Sequence, residues 1–294
     1  MTLEQPNAII ESVEDKELME KLMISLKDIE TFEKVRDDFS KTFLRLGEKY
    51  EQRASYFSTS VLNRILTSKT LIEVEGKVKN FFEDEDNLID NETIFSKIEK
   101  GLSERRELIF SQLEPYLKNI EGKVIDYGAG SGQITQMFHD RLGLDIEGVD
   151  VRNFKAKEVT IPMQLFDGYK VPVEDGHYST AVLTNVIHHE KDNEKVLAEL
   201  NRIVKNKLVI IETVPEGNTS EEIKKDWGRM LLNDTLWNRF FNYANIPVPG
   251  TYETPGNWIK RFEKYGWSCS HSLDLGFDQP TIQDRHHLLV FEKK

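Results

Sequence analysis

The apolar positions of this chain change their period near residue 121. From about Ile9 to Leu117 they recur at helical spacing, through Leu18, Leu22, Ile24, Leu26, Ile29 and Phe32, and then Phe43, Leu44, Leu46 and Tyr50. The acidic run at 83–87 breaks the pattern. A further helix is expected to start after Asp90-Asn91 and to carry Ile94, Ile98, Leu102, Leu108, Ile109 and Leu113, until Pro115 weakens it. Beyond 121, short apolar runs alternate with amphipathic stretches. The pattern predicts strands starting at Val124 and over 145–150, 163–166, 180–183 and 207–212, with helices over 133–142 and 193–204. A helix over 257–265 should lead into a last pair of strands near 267–275 and 287–292, antiparallel at the sheet edge. The expected fold is therefore α/β: a doubly wound, mostly parallel seven-stranded sheet, preceded by an all-helical region. The boundaries expected are 1–118 for the helical domain, a lid or dimer interface, and 119–294 for the sheet domain. Within the latter, an aromatic-rich helical insertion at about 219–256 carries Trp227, Met230, Trp237, Phe240, Phe241 and Tyr243, and could wall an apolar pocket.

The most informative stretch runs Val124-Ile125-Asp126-Tyr127-Gly128-Ala129-Gly130-Ser131-Gly132. Its glycines suit a tight strand-to-helix turn and let a ligand lie against bare backbone. Asp150 follows Gly132 by 18 residues, where a second strand should deliver a carboxylate to ribose hydroxyls. A dinucleotide fingerprint would place its third glycine at 133, which is Gln133, and Asp126 would repel a pyrophosphate at the turn. Asp126 suits a cationic ligand instead.

These residues resemble the first motif of the class I S-adenosylmethionine-dependent methyltransferases, over roughly the C-terminal 175 residues. The resemblance implies S-adenosyl-L-methionine as cofactor. It also implies a binding set of Asp126, Gly128, Ala129, Gly130 and Gly132, then Asp150 with Val151 at the ribose, Asp167 with Gly168 at the adenine, and Asn185 after the fourth strand.

Composition narrows the rest. A content of 38% hydrophobic residues over 294 is enough for a sizeable core, and the formal net charge of −12 opposes nucleic-acid binding through a broad basic footprint. Arg152, Lys155 and Lys157 cluster after Asp150, a grouping expected of solvated surface charges. A single cysteine, Cys269, excludes an internal disulfide framework, and neither a leader pattern nor an apolar run of membrane-spanning length is seen. A cytoplasmic protein without membrane partners, with a homodimer left open, is the expectation.

Chemistry is expected at the carboxyl ends of the strands. The fourth strand leads into Thr184-Asn185-Val186-Ile187-His188-His189-Glu190-Lys191-Asp192, and the fifth ends at Glu212. Methyl transfer to a hydroxyl needs the oxygen's proton removed as it attacks, and a histidine oriented by a carboxylate suits that role. Plant-type small-molecule O-methyltransferases carry such a histidine in H-x-x-x-D, which His188 and Asp192 resemble, with an acid in the position of Glu212. The catalytic candidates are thus His188, Glu212 and, as an alternative base, His189. No metal site is expected, because adjacent histidines on a turn should diverge and no third ligand stands at a recognisable spacing. The function implied is methylation of a small-molecule acceptor at a hydroxyl oxygen. Carbon or nitrogen methylation of a small, isoprenoid-like metabolite and a non-catalytic, cofactor-binding interaction protein are the alternatives.

Overall fold

The computed structural model describes residues 12–44, 48–88, 94–241, 246–278 and 283–294. Ile9, Leu46, Tyr243 and the expected helix start at Asp90-Asn91 lie outside them. The helices α1 (Val13–Lys27), α2 (Ile29–Leu44), α3 (Glu48–Glu51), α4 (Ala54–Leu66) and α5 (Leu71–Glu83) come first. Side-chain caps set two of their starts: Ser12 Oγ accepts the Asp15 N–H at 3.0 Å, and Thr70 Oγ1 accepts the Glu73 N–H at 3.2 Å. Their apolar faces meet around Phe39, Phe43, Phe57 and Phe82, with ring centroids 4.8 Å apart for the first pair and 5.8 Å for the last. Each such ring, fully buried, contributes roughly 1.5–3 kcal/mol.

The sheet follows: β1 (Val124–Tyr127), β2 (Ile146–Asp150), β3 (Met163–Leu165), β4 (Tyr178–Thr184), β5 (Val204–Thr213), β6 (Trp267–Gly276) and β7 (His286–Lys293). Its order is β3-β2-β1-β4-β5-β7-β6. The first five strands run parallel, and β7 runs antiparallel to both β5 and β6. Side chains alternate between two layers. Val124, Val182, Val209, Ile211 and Leu288 pack under α6 (Ile94–Leu117) and α7 (Gln133–Leu142), while Ile125, Tyr127, Ala181, Leu208 and Leu289 pack under α8 (Asn193–Ile203) and α10 (Pro255–Lys264). Pro115 does not end α6. It falls in the last turn, where the helix stops two residues later in any case.

Between β5 and α10 the chain forms α9 (Ser220–Thr235), opened by a capping box of Thr219 and Glu222, and runs on into a π-helical turn, Leu236–Phe241. Met230, Trp237, Phe240 and Phe241 belong to the same buried core as α1, α2, α4 and α5, while Trp227 borders a cavity with Gly250, Thr251 and Tyr252. Arg239 fastens the turn to that body through Asp15 at 2.7 Å and Glu75 at 2.8 Å. Among the described residues, no helix is long and apolar enough to cross a membrane.

Candidate functional site

Strand order reverses at β1, whose neighbours are β2 on one side and β4 on the other, so a crevice opens at its carboxyl end. The glycine loop occupies that end. Gly128 N–H and Ala129 N–H both donate to the Val149 carbonyl, at 2.9 and 3.0 Å, and hold the loop against β2. Gly128 has φ 80°, and a Cβ there would stand 2.6 Å from Val186, so neither the turn nor the β4 loop beside it leaves room for a side chain. Gly130 has φ 55° with open space where a Cβ would be, the bare backbone a ligand needs.

Alternation along β1 sends Asp126 to the α7 side, where Thr135 Oγ1 donates to its Oδ2 at 2.5 Å. Its Oδ1 is buried and has no hydrogen-bond partner among the described residues. Burial pushes the Asp126 carboxyl up to about 7, and the nearby charge of Asp150 adds to the rise against the Thr135 hydrogen bond. Asp150 closes the loop from β2: its Oδ2 accepts Gly130 N–H at 2.8 Å and its Oδ1 accepts Arg152 N–H at 3.1 Å. A carboxylate offers about four acceptor positions, so two hydroxyls could still be received. Val151 and Gly168 are neighbours, with a Cβ on Gly168 falling 3.2 Å from Val151. Tyr127 Oη donates to the Gly168 carbonyl at 2.7 Å. Asp167 is exposed, and its Oδ1 accepts the N–H groups of Tyr169 and Lys170 at 2.9 and 2.7 Å.

Glu190 was assigned no role in the sequence, yet it lines this crevice. Its Oε1 lies 3.7 Å from the Cβ position of Gly168. Burial, then the charge of Asp150, pushes it up to about 7. The unpaired, buried Asp126 oxygen and the raised Glu190 carboxyl beside an open glycine turn could receive a ligand bearing positive charge.

The second half of the site grows from the turn after β4. Asn185 adopts φ 56°, in the left-handed region that asparagine tolerates, and swings the chain into the tight turn Ile187–His189. Glu212, at the end of β5, organises it. Its Oε1 accepts the N–H groups of Val186 at 3.0 Å and Ile187 at 2.7 Å, and its Oε2 meets His188 Nδ1 at 2.5 Å. Both side chains are buried. Burial pulls the His188 imidazole down, but the Glu212 carboxylate, its hydrogen bond, and the charges of Asp234 and Asp284 outweigh it and leave the group above its usual range. Glu212 is correspondingly held below the usual carboxylate range, its burial outweighed by His188 and the two turn N–H groups.

The histidine rings do not diverge. Their centroids are 4.2 Å apart. His189 Nδ1 lies 2.9 Å from the Pro247 carbonyl, an acceptor only, so this nitrogen carries the proton and Nε2 is left with its lone pair. A third group that sequence spacing concealed, Asp234 of α9, places Oδ1 3.9 Å from His188 Nε2 and 3.8 Å from His189 Nε2. Tyr252 Oη donates to Asp234 Oδ2 at 2.8 Å, and Asn238 Nδ2 donates to its Oδ1 at 2.6 Å. Thr251 Oγ1 lies 2.9 Å from the His188 carbonyl and pins the turn from outside. Asp192 stays outside this group and caps α8 through Lys195 N–H.

Other sequence candidates are placed elsewhere. Tyr50 and Phe57 are core, whereas Tyr56 is exposed with the Arg53 guanidinium 5.3 Å from its ring. His286 is buried, as alternation in the last strand predicts. It makes no regular hydrogen bond among the described residues, and its Nδ1 sits 3.2 Å from Asp278.

Residues 101–272 match a family model described as a methyltransferase domain. Geranyl diphosphate C-methyltransferase from Streptomyces coelicolor A3(2), solved with Mg2+, geranyl diphosphate and S-adenosyl-L-homocysteine, is similar over 72% of this chain and 88% of its own, at 14% identity and a TM-score of 0.50. The YcgJ protein from Bacillus subtilis is similar over 64% of this chain and 97% of its own, at 13% identity and a TM-score of 0.45. At such identities the likeness concerns the fold. No curated protein sequence matches the chain.

Proposed function

The chain belongs to this methyltransferase family and is an S-adenosylmethionine-dependent enzyme, and from that premise we propose that it methylates a small-molecule acceptor at a hydroxyl oxygen. The cofactor supplies, when bound, an electrophilic methyl group on a sulfonium centre. The protein's own task is then to align the acceptor and relieve it of a proton. One observation carries this reading: a buried His188 imidazole, anchored through Nδ1 by Glu212, stands on the turn after β4, whose Val186 packs against Gly128 of the glycine loop. Glu212 fixes the tautomer and stabilises the imidazolium that forms when Nε2 takes the acceptor's proton. His189, with its Nε2 also unprotonated, is the reserve base.

Asp126 and the loop of Gly128, Ala129, Gly130 and Gly132 would hold the methionine end, Asp150 and Val151 the ribose, and Asp167 with Gly168 the adenine. Asn185 would shape the rim between cofactor and acceptor. Residues 1–118, together with the insertion at about 219–256, would cover the acceptor. Incubation with methyl-labelled cofactor and fractionated cell extract should place label in a small metabolite as a methyl ether. Label in protein or RNA, or on carbon or nitrogen, would overturn the acceptor assignment.

Asp126 gives this reading a pH dependence. Its carboxyl is raised in the fold, so the stability it contributes is complete below the unfolded value near 3.8 and is lost as pH rises through about 7. A shift of that size corresponds to about 4 kcal/mol. The cofactor-free protein should therefore lose stability between about pH 4 and about pH 7 and level off above it, while affinity for the cationic cofactor rises toward about pH 7. Asp126→Asn should flatten both trends in thermal melts recorded with and without cofactor. Parallel pH trends in the variant and the parent would exclude Asp126 as the group responsible.

A further inference from the structure

Three donor atoms, two imidazole nitrogens and a carboxylate oxygen, converge beside the turn after β4, the oxygen also accepting Asn238 Nδ2 at 2.6 Å. His188 Nε2, His189 Nε2 and Asp234 Oδ1 lie within 4.8 Å of one another. Each arrives already oriented from behind. Glu212 holds His188 through Nδ1 at 2.5 Å, the Pro247 carbonyl holds His189 through Nδ1 at 2.9 Å, and Tyr252 holds Asp234 through Oδ2 at 2.8 Å. A carboxylate or carbonyl behind the distal nitrogen is the arrangement that metal-ligating histidines almost always have, because it fixes the tautomer and raises ligand basicity. The donors are two imidazoles and one carboxylate, a set that suits zinc and its first-row neighbours and is poor for magnesium or calcium.

We propose that His188, His189 and Asp234 bind one divalent transition-metal ion, using Nε2 of each imidazole and Oδ1 of the carboxylate and leaving a further coordination position open. Asp234 Oδ1 stands 3.8 and 3.9 Å from the two nitrogens, which lie within 4.8 Å of each other, so an ion at about 2.0–2.2 Å would draw the three together and take the place of Asn238 Nδ2 on the carboxylate oxygen. Two of the three donors sit on the turn after β4 and the third on α9, so the ion ties the sheet rim to the insertion. This site goes beyond the methyl-transfer reading and stands on different atoms from the cofactor crevice. The two meet at His188 Nε2. An ion bound there holds the lone pair that would take the acceptor's proton, so loading slows the proposed O-methylation.

Co2+ or Zn2+ titrated into chelator-treated protein should bind at one ion per chain, with the visible bands of imidazole-bound Co2+. His189→Gln and Asp234→Asn should each weaken binding by at least about 10-fold, since losing even an outer partner of a ligand costs that much. Tyr252→Phe, which leaves every ligand in place, should weaken it by about 10-fold and serves if the ligand variants fail to fold. No stoichiometric binding, or binding equal in all these variants, overturns the site. Zinc that stimulates turnover overturns the competition at His188 and leaves the site standing. Binding is read in the absence of acceptor and cofactor, so its failure is separable from a failure of the O-methylation reading.

Discussion

His188→Ala should lower turnover on the order of 10²-fold or more, the usual scale for removing a general base, while calorimetric affinity for the cofactor changes little. The two readouts separate because His188 is held by Glu212 and faces Asp234 and Tyr252, none of which is assigned to the cofactor. Alanine also strands Glu212, a buried carboxylate that keeps only the N–H groups of Val186 and Ile187. The double variant with Glu212→Gln removes that stranded charge, and it should be no slower than the single one because the pair acts as a unit. Turnover within a few-fold of the parent in a folded variant would remove His188 from proton transfer. An acceptor carbon or nitrogen that needs no base would then be favoured.

Arg229→Met should destabilise the fold by about 3–5 kcal/mol, the cost of leaving buried charges without their partner. Arg229 is 1% exposed. Its Nε donates to Asp226 at 2.5 Å, and its Nη1 donates to Asp284 at 3.1 Å and to the Gln283 carbonyl at 2.7 Å, with Asp38 of α2 at 3.5 Å. Methionine fills the volume and strands these carboxylates. Arg229→Lys should recover little, since one ammonium cannot reproduce the fork that grips both oxygens of Asp226. Urea unfolding followed by circular dichroism measures it, and a loss below about 1 kcal/mol would show that the cluster tolerates the missing cation.

Most of the sheet was legible because parallel strands buried on both faces leave short apolar runs between amphipathic helices. Thus α7 falls on 133–142 as the periodicity predicts, and β2 and β3 each differ by a single residue. Strand β5 is longer than read, beginning at Val204 rather than 207, because Lys205 and Asn206 carry the strand before its apolar stretch begins. That Asp126, Asp150 and the glycines meet at one end of the sheet was readable from spacing, since one βαβ unit sets all their positions, whereas the ligand they would take came from the family resemblance. His188 and Glu212 were readable as a pair because adjacent parallel strands deliver their ends to one rim.

What was illegible comes from distant segments. Asp234 reaches His188 from α9, Tyr252 reaches Asp234 from the following loop, and no local period encodes either meeting. Glu190 was visible beside the histidines, but its approach to Gly168 depends on the turn that Glu212 ties. The aromatic insertion was legible only in part, with Trp227 beside a cavity and the other rings in the core. A run of large rings is equally suited to a ligand wall and to an interior, and the partner helices α2 and α5 decide between them.

Because α9 shares its interior with helices from the beginning of the chain, the front end cannot be peeled away as a separable flap. The other side of α9 is bound as well, since Arg229 and Asn233 reach Asp284 just before β7, so Asp234 is held against the His188 and His189 turn by both the helical body and the sheet.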